Sequence, residues 1–194
     1  MEQDLNALRG RAYSIAKAHG FHEKEESDET YLMLIITEIA EAVNADRKNY
    51  HARIKEFEDW QKEWDKELKD CPYSEHYTAN NFKDHFQAYI KDSVEDELSD
   101  VAIRLLDFAG ERNIELDVPL HSFLIIENST FCENCFEICS ELINRYVDNI
   151  GYSIRYVLAN LFQLSHFYSI DLFKFIDLKM KYNELRPYKN GKEY

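Results

Sequence analysis

The sequence predicts an all-α fold, and three observations carry that prediction. Strong breakers are few, 5 Gly and 3 Pro among 194 residues, so long stretches run uninterrupted. Apolar residues recur at the three-to-four spacing of a helix. No run of alternating β-branched residues is bounded by hairpin turns. With 45% hydrophobic and 14% aromatic residues the composition is globular, and the length suits one domain with a substantial core.

Each element has its own signal. Over residues 2–18, Leu5, Leu8, Ala12 and Ile15 form one stripe, and Gly20 is expected to end that helix. The polar run HEKEESDET is a loop, with Ser27 or Asp28 as N-cap of a long helix over about 30–48. HARIKEFEDWQKEWDKELKD sets Phe57, Trp60, Trp64 and Leu68 on one face of a charged amphipathic helix, which Pro72 breaks. Residues 73–90 are aromatic-rich and ambiguous between helix and loop. Residues 91–112, KDSVEDELSDVAIRLLDFAGER, read as a strong helix capped by Asp92 or Ser93. Acidic residues fill its first turn, where the helix dipole favours them, and Gly110 is its expected end. Further helices are expected near 131–149, 152–167 and 170–185, with Pro187 closing the last.

Charge and composition exclude several classes of function. The formal net charge is −14, with no long Lys/Arg run, which opposes binding to a nucleic acid polymer. No stretch of about 18 apolar residues is present, and MEQDLNALRGRAY has no apolar signal core. The expectation is a cytoplasmic protein without membrane association. Of the four cysteines, Cys132 and Cys135 form a C-x-x-C pair. It has neither a second such pair nor an H-x3-H partner, so Cys71, Cys132, Cys135 and Cys139 read as small apolar residues.

The chemistry-bearing stretch is LMLIITEIAEAV, residues 32–43. Glu38 and Glu41, at i and i+3 on a helix, face one point from a segment that is otherwise apolar almost all round. Burying such carboxylates without partners is costly. The bland reading puts them at a solvent edge, paired with Arg47 or a lysine of another helix. Residues 91–112 repeat the spacing with Glu97 and Asp100, beside a stripe of Val94, Leu98, Val101, Leu105 and Phe108. If these two helices pack side by side, four carboxylates meet at their seam, and a divalent cation with oxygen ligands resolves the repulsion. Magnesium suits such a site, with manganese an acceptable substitute. A di-iron bundle would add Glu-x-x-His pairs, and no Glu stands three residues before His22, His51, His76, His85, His121 or His166. Finally, LKMKYNELRPYKNGKEY is basic against an acidic chain. Lys179, Asn183 and Arg186 share one helix face and offer the donors a polyphosphate accepts from.

Glu38-x-x-Glu41 followed by Glu97-x-x-Asp100, with the Lys179–Asn183–Arg186 block, resembles the signature of the MazG-like all-α nucleoside triphosphate pyrophosphohydrolases. That superfamily also includes dimeric dUTPases and dCTP pyrophosphatases. The resemblance implies one domain, 1–194, with insertions at about 50–90 and 118–168. It implies magnesium held by Glu38, Glu41, Glu97 and Asp100, water activated by Glu38 or Glu41, and the triphosphate held by Lys179, Asn183 and Arg186. His22, Trp60 and Trp64 are the aromatic candidates for the base. A homodimer or homotetramer is the expected assembly. The chain departs from the pattern at Thr37, where an acidic residue is usual, and in the long gap between its carboxylate pairs. The tracts IELDVPLHSF and SIDLFKFIDL suggest a degenerate internal repeat, with Ser153 and Tyr156 standing where Glu97 and Asp100 stand. The competing reading is a non-catalytic helical module that binds a nucleotide or a protein, docking through residues 51–69.

Overall fold

A computed structural model describes residues 4–70, 75–117, 129–146 and 149–191. Pro72, Cys71 and His121, and most of the first repeat tract, lie outside the described residues. Within them the chain is all-helical, with eight α-helices and no strand. The helices are α1 (Leu5–Ala18), α2 (Asp28–Arg47), α3 (Ile54–Asp70), α4 (Glu75–Tyr89), α5 (Val94–Glu111), α6 (Phe131–Tyr146), α7 (Ile150–Phe167) and α8 (Leu172–Glu184). A 3-10 turn, Tyr188–Gly191, follows Pro187. No helix among the described residues is long and apolar enough to cross a membrane.

Capping fixes where the functional helices begin. Ser27 caps α2, its hydroxyl accepting from the Thr30 amide at 3.3 Å. Ser93 rather than Asp92 caps α5, accepting from the Asp96 amide at 3.2 Å. Asp92 takes the left-handed conformation, φ 64°, which turns the chain into the helix. The Val94 amide donates to the Tyr50 carbonyl (3.1 Å) and the Arg53 amide to the Tyr89 carbonyl (2.8 Å). The starts of α3 and α5 and the end of α4 are thereby tied together.

α5 is the spine of the molecule. It packs against α1, α2, α7 and α8, while α6 packs against both α2 and α7. The pairs α2–α5, α5–α7, α7–α6 and α6–α2 close a ring of four helices around the main core. The predicted α5 stripe is buried: Val94, Leu98, Val101, Leu105 and Phe108 all lie within that core. A second, smaller core joins α3 and α4 to α8 through Phe57, Phe82, Phe86, Phe175, Leu178 and Tyr182. The ambiguous 73–90 segment is helical over Glu75–Tyr89 because Phe82 and Phe86, one turn apart, both enter this second core.

Gly110 does not end α5. The helix runs on to Glu111 and turns out through Asn113, at φ 51°. Gly110 is instead a close-approach position: a Cβ there would stand 2.6 Å from the Tyr13 Cβ of α1. Gly110→Ala is expected to force α1 and α5 apart and to cost about 1–3 kcal/mol, read as a lower urea midpoint.

Candidate functional site

α1, α2, α5 and α8 enclose a cleft of about 290 Å³. Its wall includes Glu38 and Glu41 from α2, Glu97 and Asp100 from α5, and Lys179, Asn183 and Arg186 of the basic block. The structure therefore brings together every predicted carboxylate and every predicted phosphate-binding residue. Carboxylate oxygens of Glu38, Glu41 and Glu97 all lie within 4.8 Å of one another.

The members of this trio are not equivalent. Glu41 is exposed to the cleft. Glu38 is buried, and its Oε1 accepts from Arg104 Nε at 3.1 Å. Arg104, one turn beyond Asp100 on α5, thus takes the pairing role that sequence reasoning offered to Arg47. Glu97 is only 5% exposed, and no hydrogen bond or ion pair reaches its carboxylate from the described residues. Burial, then the charges of Asp100 and Asp96, push its pKa up to about 8. Glu38 is also raised, by burial and then by Asp100, against the opposing pull of Arg104.

Asp100 is held differently. Lys179 reaches from α8 to place its ammonium 2.6 Å from Asp100 Oδ2 and 2.7 Å from Asp96 Oδ1. Lys179 is 4% exposed. Burial works against its charge, but Asp100 and Asp96 outweigh that and raise its pKa. Asp96 also accepts from the Asp92 amide at 2.9 Å. Burial raises the Asp96 carboxyl above the usual carboxylate range, while the Lys179 ammonium and the Asp92 amide oppose that rise.

Three other features complete the cleft. Asn183 Oδ1 is buried without a hydrogen-bond partner among the described residues. Lys91, ion-paired to Asp92, lines the wall beside Lys179 and Arg186. The cleft also has an apolar lining, formed by Ala12, Ile15, Ala16, Phe21 and Ile103, and His19 contributes to its wall. Sequence reasoning missed Asp96, Arg104 as a partner, and this apolar lining. Asp96 had a legible signal: it stands one turn before Asp100, on the same helix face.

The three aromatic candidates for the base lie outside this cleft. His22 is buried behind it, with Nε2 2.7 Å from Asp107 Oδ1 and Nδ1 3.2 Å from both Tyr31 Oη and Glu111 Oε2. Its imidazole pins the α1–α2 loop to α5. Trp60 and Trp64 line a separate cleft with Phe82, Lys181 and Leu185. Trp60 stacks on His85 at a centroid distance of 4.0 Å, a packing role inside the second helical layer. Ser153 and Tyr156, the proposed repeat counterparts, sit on α7; Ser153 is buried and donates to the Leu142 carbonyl of α6 at 3.1 Å.

No protein-family model, curated protein or solved structure matches the chain. What the cleft does is accordingly read from its own residues. It sets buried acidic groups beside buried basic ones, with an apolar floor next to both.

The conflict at Glu97 has a thermodynamic signature. Its carboxyl titrates near 8 in the fold against an ordinary 4.5, so its ionisation costs stability as pH rises from 4.5 to about 8. Glu97→Gln is expected to melt higher than wild type in EDTA at pH 8, and at the same temperature as wild type at pH 4. Thermal denaturation followed by circular dichroism reads both arms.

Proposed function

We propose that this chain is a magnesium-dependent nucleoside triphosphate pyrophosphohydrolase, converting a nucleoside triphosphate to the monophosphate and pyrophosphate. The observation that carries the reading is the carboxylate of Glu97, a residue 5% exposed with no hydrogen bond or ion pair to it from the described residues, within 4.8 Å of its counterparts on Glu38 and Glu41. An isolated buried carboxylate is strongly unfavourable, and a hard cation with oxygen ligands is the remedy the neighbouring donors suit. Asn183 Oδ1, unpaired among the described residues, is an acceptor and suits an O–H or N–H of a ligand, while its amide N–H is the group that suits phosphate. Glu38, Glu41 and Glu97 would hold magnesium, or manganese in its place, with Asp100 next to them. When bound, the metal supplies neutralisation of the negative charge that builds on phosphate oxygens in the transition state.

The remaining work belongs to the chain's own side chains. Lys179, Asn183 and Arg186 would hold the polyphosphate by N–H donation to its oxygens. Glu41, exposed to the cleft, would orient the attacking water and take its proton, while Arg104 keeps Glu38 in place. The water oxygen bonds to phosphorus, the α–β anhydride P–O bond breaks, and pyrophosphate leaves with the bridging oxygen. Lys91, Lys179 and Arg186 would stabilise that leaving anion. The nucleoside would lie on the apolar floor, where Ala12 and Ala16, one turn apart, leave room for a flat ring beside Phe21 and His19. The base-binding role proposed from sequence for His22, Trp60 and Trp64 passes to these residues. All the named groups lie on one chain, whatever the oligomer.

Incubation with Mg²⁺ and a panel of ribo- and deoxynucleoside triphosphates is expected to release pyrophosphate from at least one of them, and excess EDTA to abolish that release. Glu38→Gln and Asp100→Asn are each expected to lower kcat/KM by at least about 100-fold with the helical circular dichroism intact. Full activity in both variants overturns the assignment. Ala16→Leu is expected to weaken nucleotide binding about tenfold, roughly 1.4 kcal/mol, while inorganic tripolyphosphate binds as before.

A further inference from the structure

The carboxylate cluster and the Lys179 clamp share α5 and make competing claims on Asp100. Three carboxylates, of Glu38, Glu41 and Glu97, converge within 4.8 Å. Asp100 lines the same cleft, but its Oδ2 is 2.6 Å from the Lys179 ammonium, which is itself hidden between Asp100 and Asp96. Asp96 is fully engaged: it accepts from both Lys179 and the Asp92 amide. Among the described residues Asp100 has no second anchor of that kind, and its side chain is 21% exposed against 1% for Asp96, so it is the partner that faces the cleft. An anion arriving beside Asn183 and Arg186 offers Lys179 a replacement for Asp100, because all three donors line the same wall. A carboxylate released by Lys179 in turn becomes a fourth oxygen donor for a cation held by the other three.

We infer that Lys179 makes the cation site anion-dependent: Asp100 joins Glu38, Glu41 and Glu97 only when a diphosphate group draws the Lys179 ammonium away. The ligand class this selects is a diphosphate or longer phosphate chain together with its divalent cation, in preference to either alone. Lys179 acts here as a positioning residue for Asp100 as well as a donor to phosphate. The inference rests on the metal-and-phosphate reading above, in which a shared cation already couples the two ligands, and adds to that coupling a part that depends on Lys179. Binding of two ligands that share such a switch is reciprocal, each tightening the other by the same factor.

The test measures binding, not turnover. Mn²⁺ is titrated calorimetrically into the protein alone and into protein saturated with methylenediphosphonate, with the protein-free Mn²⁺–diphosphonate titration subtracted. The wild type is expected to bind Mn²⁺ at least tenfold more tightly with the diphosphonate present. In Lys179→Met, Asp100 is free at all times, so Mn²⁺ alone is expected to bind more tightly than to wild type and the coupling to fall well below the wild-type value. Because Lys179→Met strands Asp96 as a buried charge, the double variant Asp96→Asn/Lys179→Met removes both partners and is expected to keep the fold, checked by helical circular dichroism. It is expected to behave like the single variant. Mn²⁺ binding to wild type that is indifferent to diphosphonate overturns the inference and leaves the proposed metal site standing. Undiminished coupling in the folded double variant also overturns the inference alone. Absence of Mn²⁺ binding under every condition overturns both.

Discussion

Lys179 crosses from α8 to α5 and buries its ammonium between Asp96 and Asp100. Stripping one partner from such a buried pair costs about 3–5 kcal/mol, so the contact fixes how α8 lies against α5. Everything downstream depends on that register. Asn183 stands one turn beyond Lys179, and Arg186 follows where the helix gives way, so once Lys179 is seated both line the same wall. A slip of one residue along α8 would rotate Asn183 and Arg186 off that wall and also expel Leu178 and Tyr182 from the second core. The apolar packing of α8 and its ion pair thus specify the same alignment.

The acidic groups are supported from the opposite side. α2 contributes Glu38 and Glu41 from the edge of a helix whose other faces enter the four-helix ring through Leu32, Ile35, Ile39 and Ala42. That apolar packing holds the helix in place while two of its carboxyl groups point at a third from α5. Their mutual repulsion is offset in part by Arg104 at Glu38 and by the nearby Lys179 charge at Glu97. A fold that retains an unpartnered buried carboxylate sacrifices stability at that point, as functional sites commonly do. The ring of α2, α5, α7 and α6 supplies the rigidity that makes the sacrifice tolerable.

Much of this was legible because it is periodic. The Glu38/Glu41 and Glu97/Asp100 pairs, the α5 stripe and the Lys179–Asn183–Arg186 face are all statements about helical phase, and the structure places all of them where phase alone puts them. Where phase gives no information, reading failed or stayed open. Gly110 looks like a terminator in one dimension, and only the approach of Tyr13 shows that it is a contact. His22, Trp60 and Trp64 have the right chemistry for a base, but nothing local says which side of a tertiary wall they occupy; Asp107 and His85 claim His22 and Trp60. Asp96 was hidden for a different reason. In a first turn crowded with acids, the helix dipole is a sufficient explanation for any one of them, so the one with a lysine partner does not stand out.

The α1–α2 loop and the C-terminal turn are joined in a way that bears on the cleft mouth. Gly20 adopts φ 81°, and the Tyr188 ring occupies the space a side chain there would need. One residue on, the Lys189 amide donates to the His19 carbonyl at 2.9 Å. The loop that carries His19 and Phe21 is therefore buttoned to the segment that carries Arg186. The His19–Phe21 side of the cleft and its Arg186 side behave as one mechanical part: whatever loosens Tyr188 and Lys189 unfastens both jaws together.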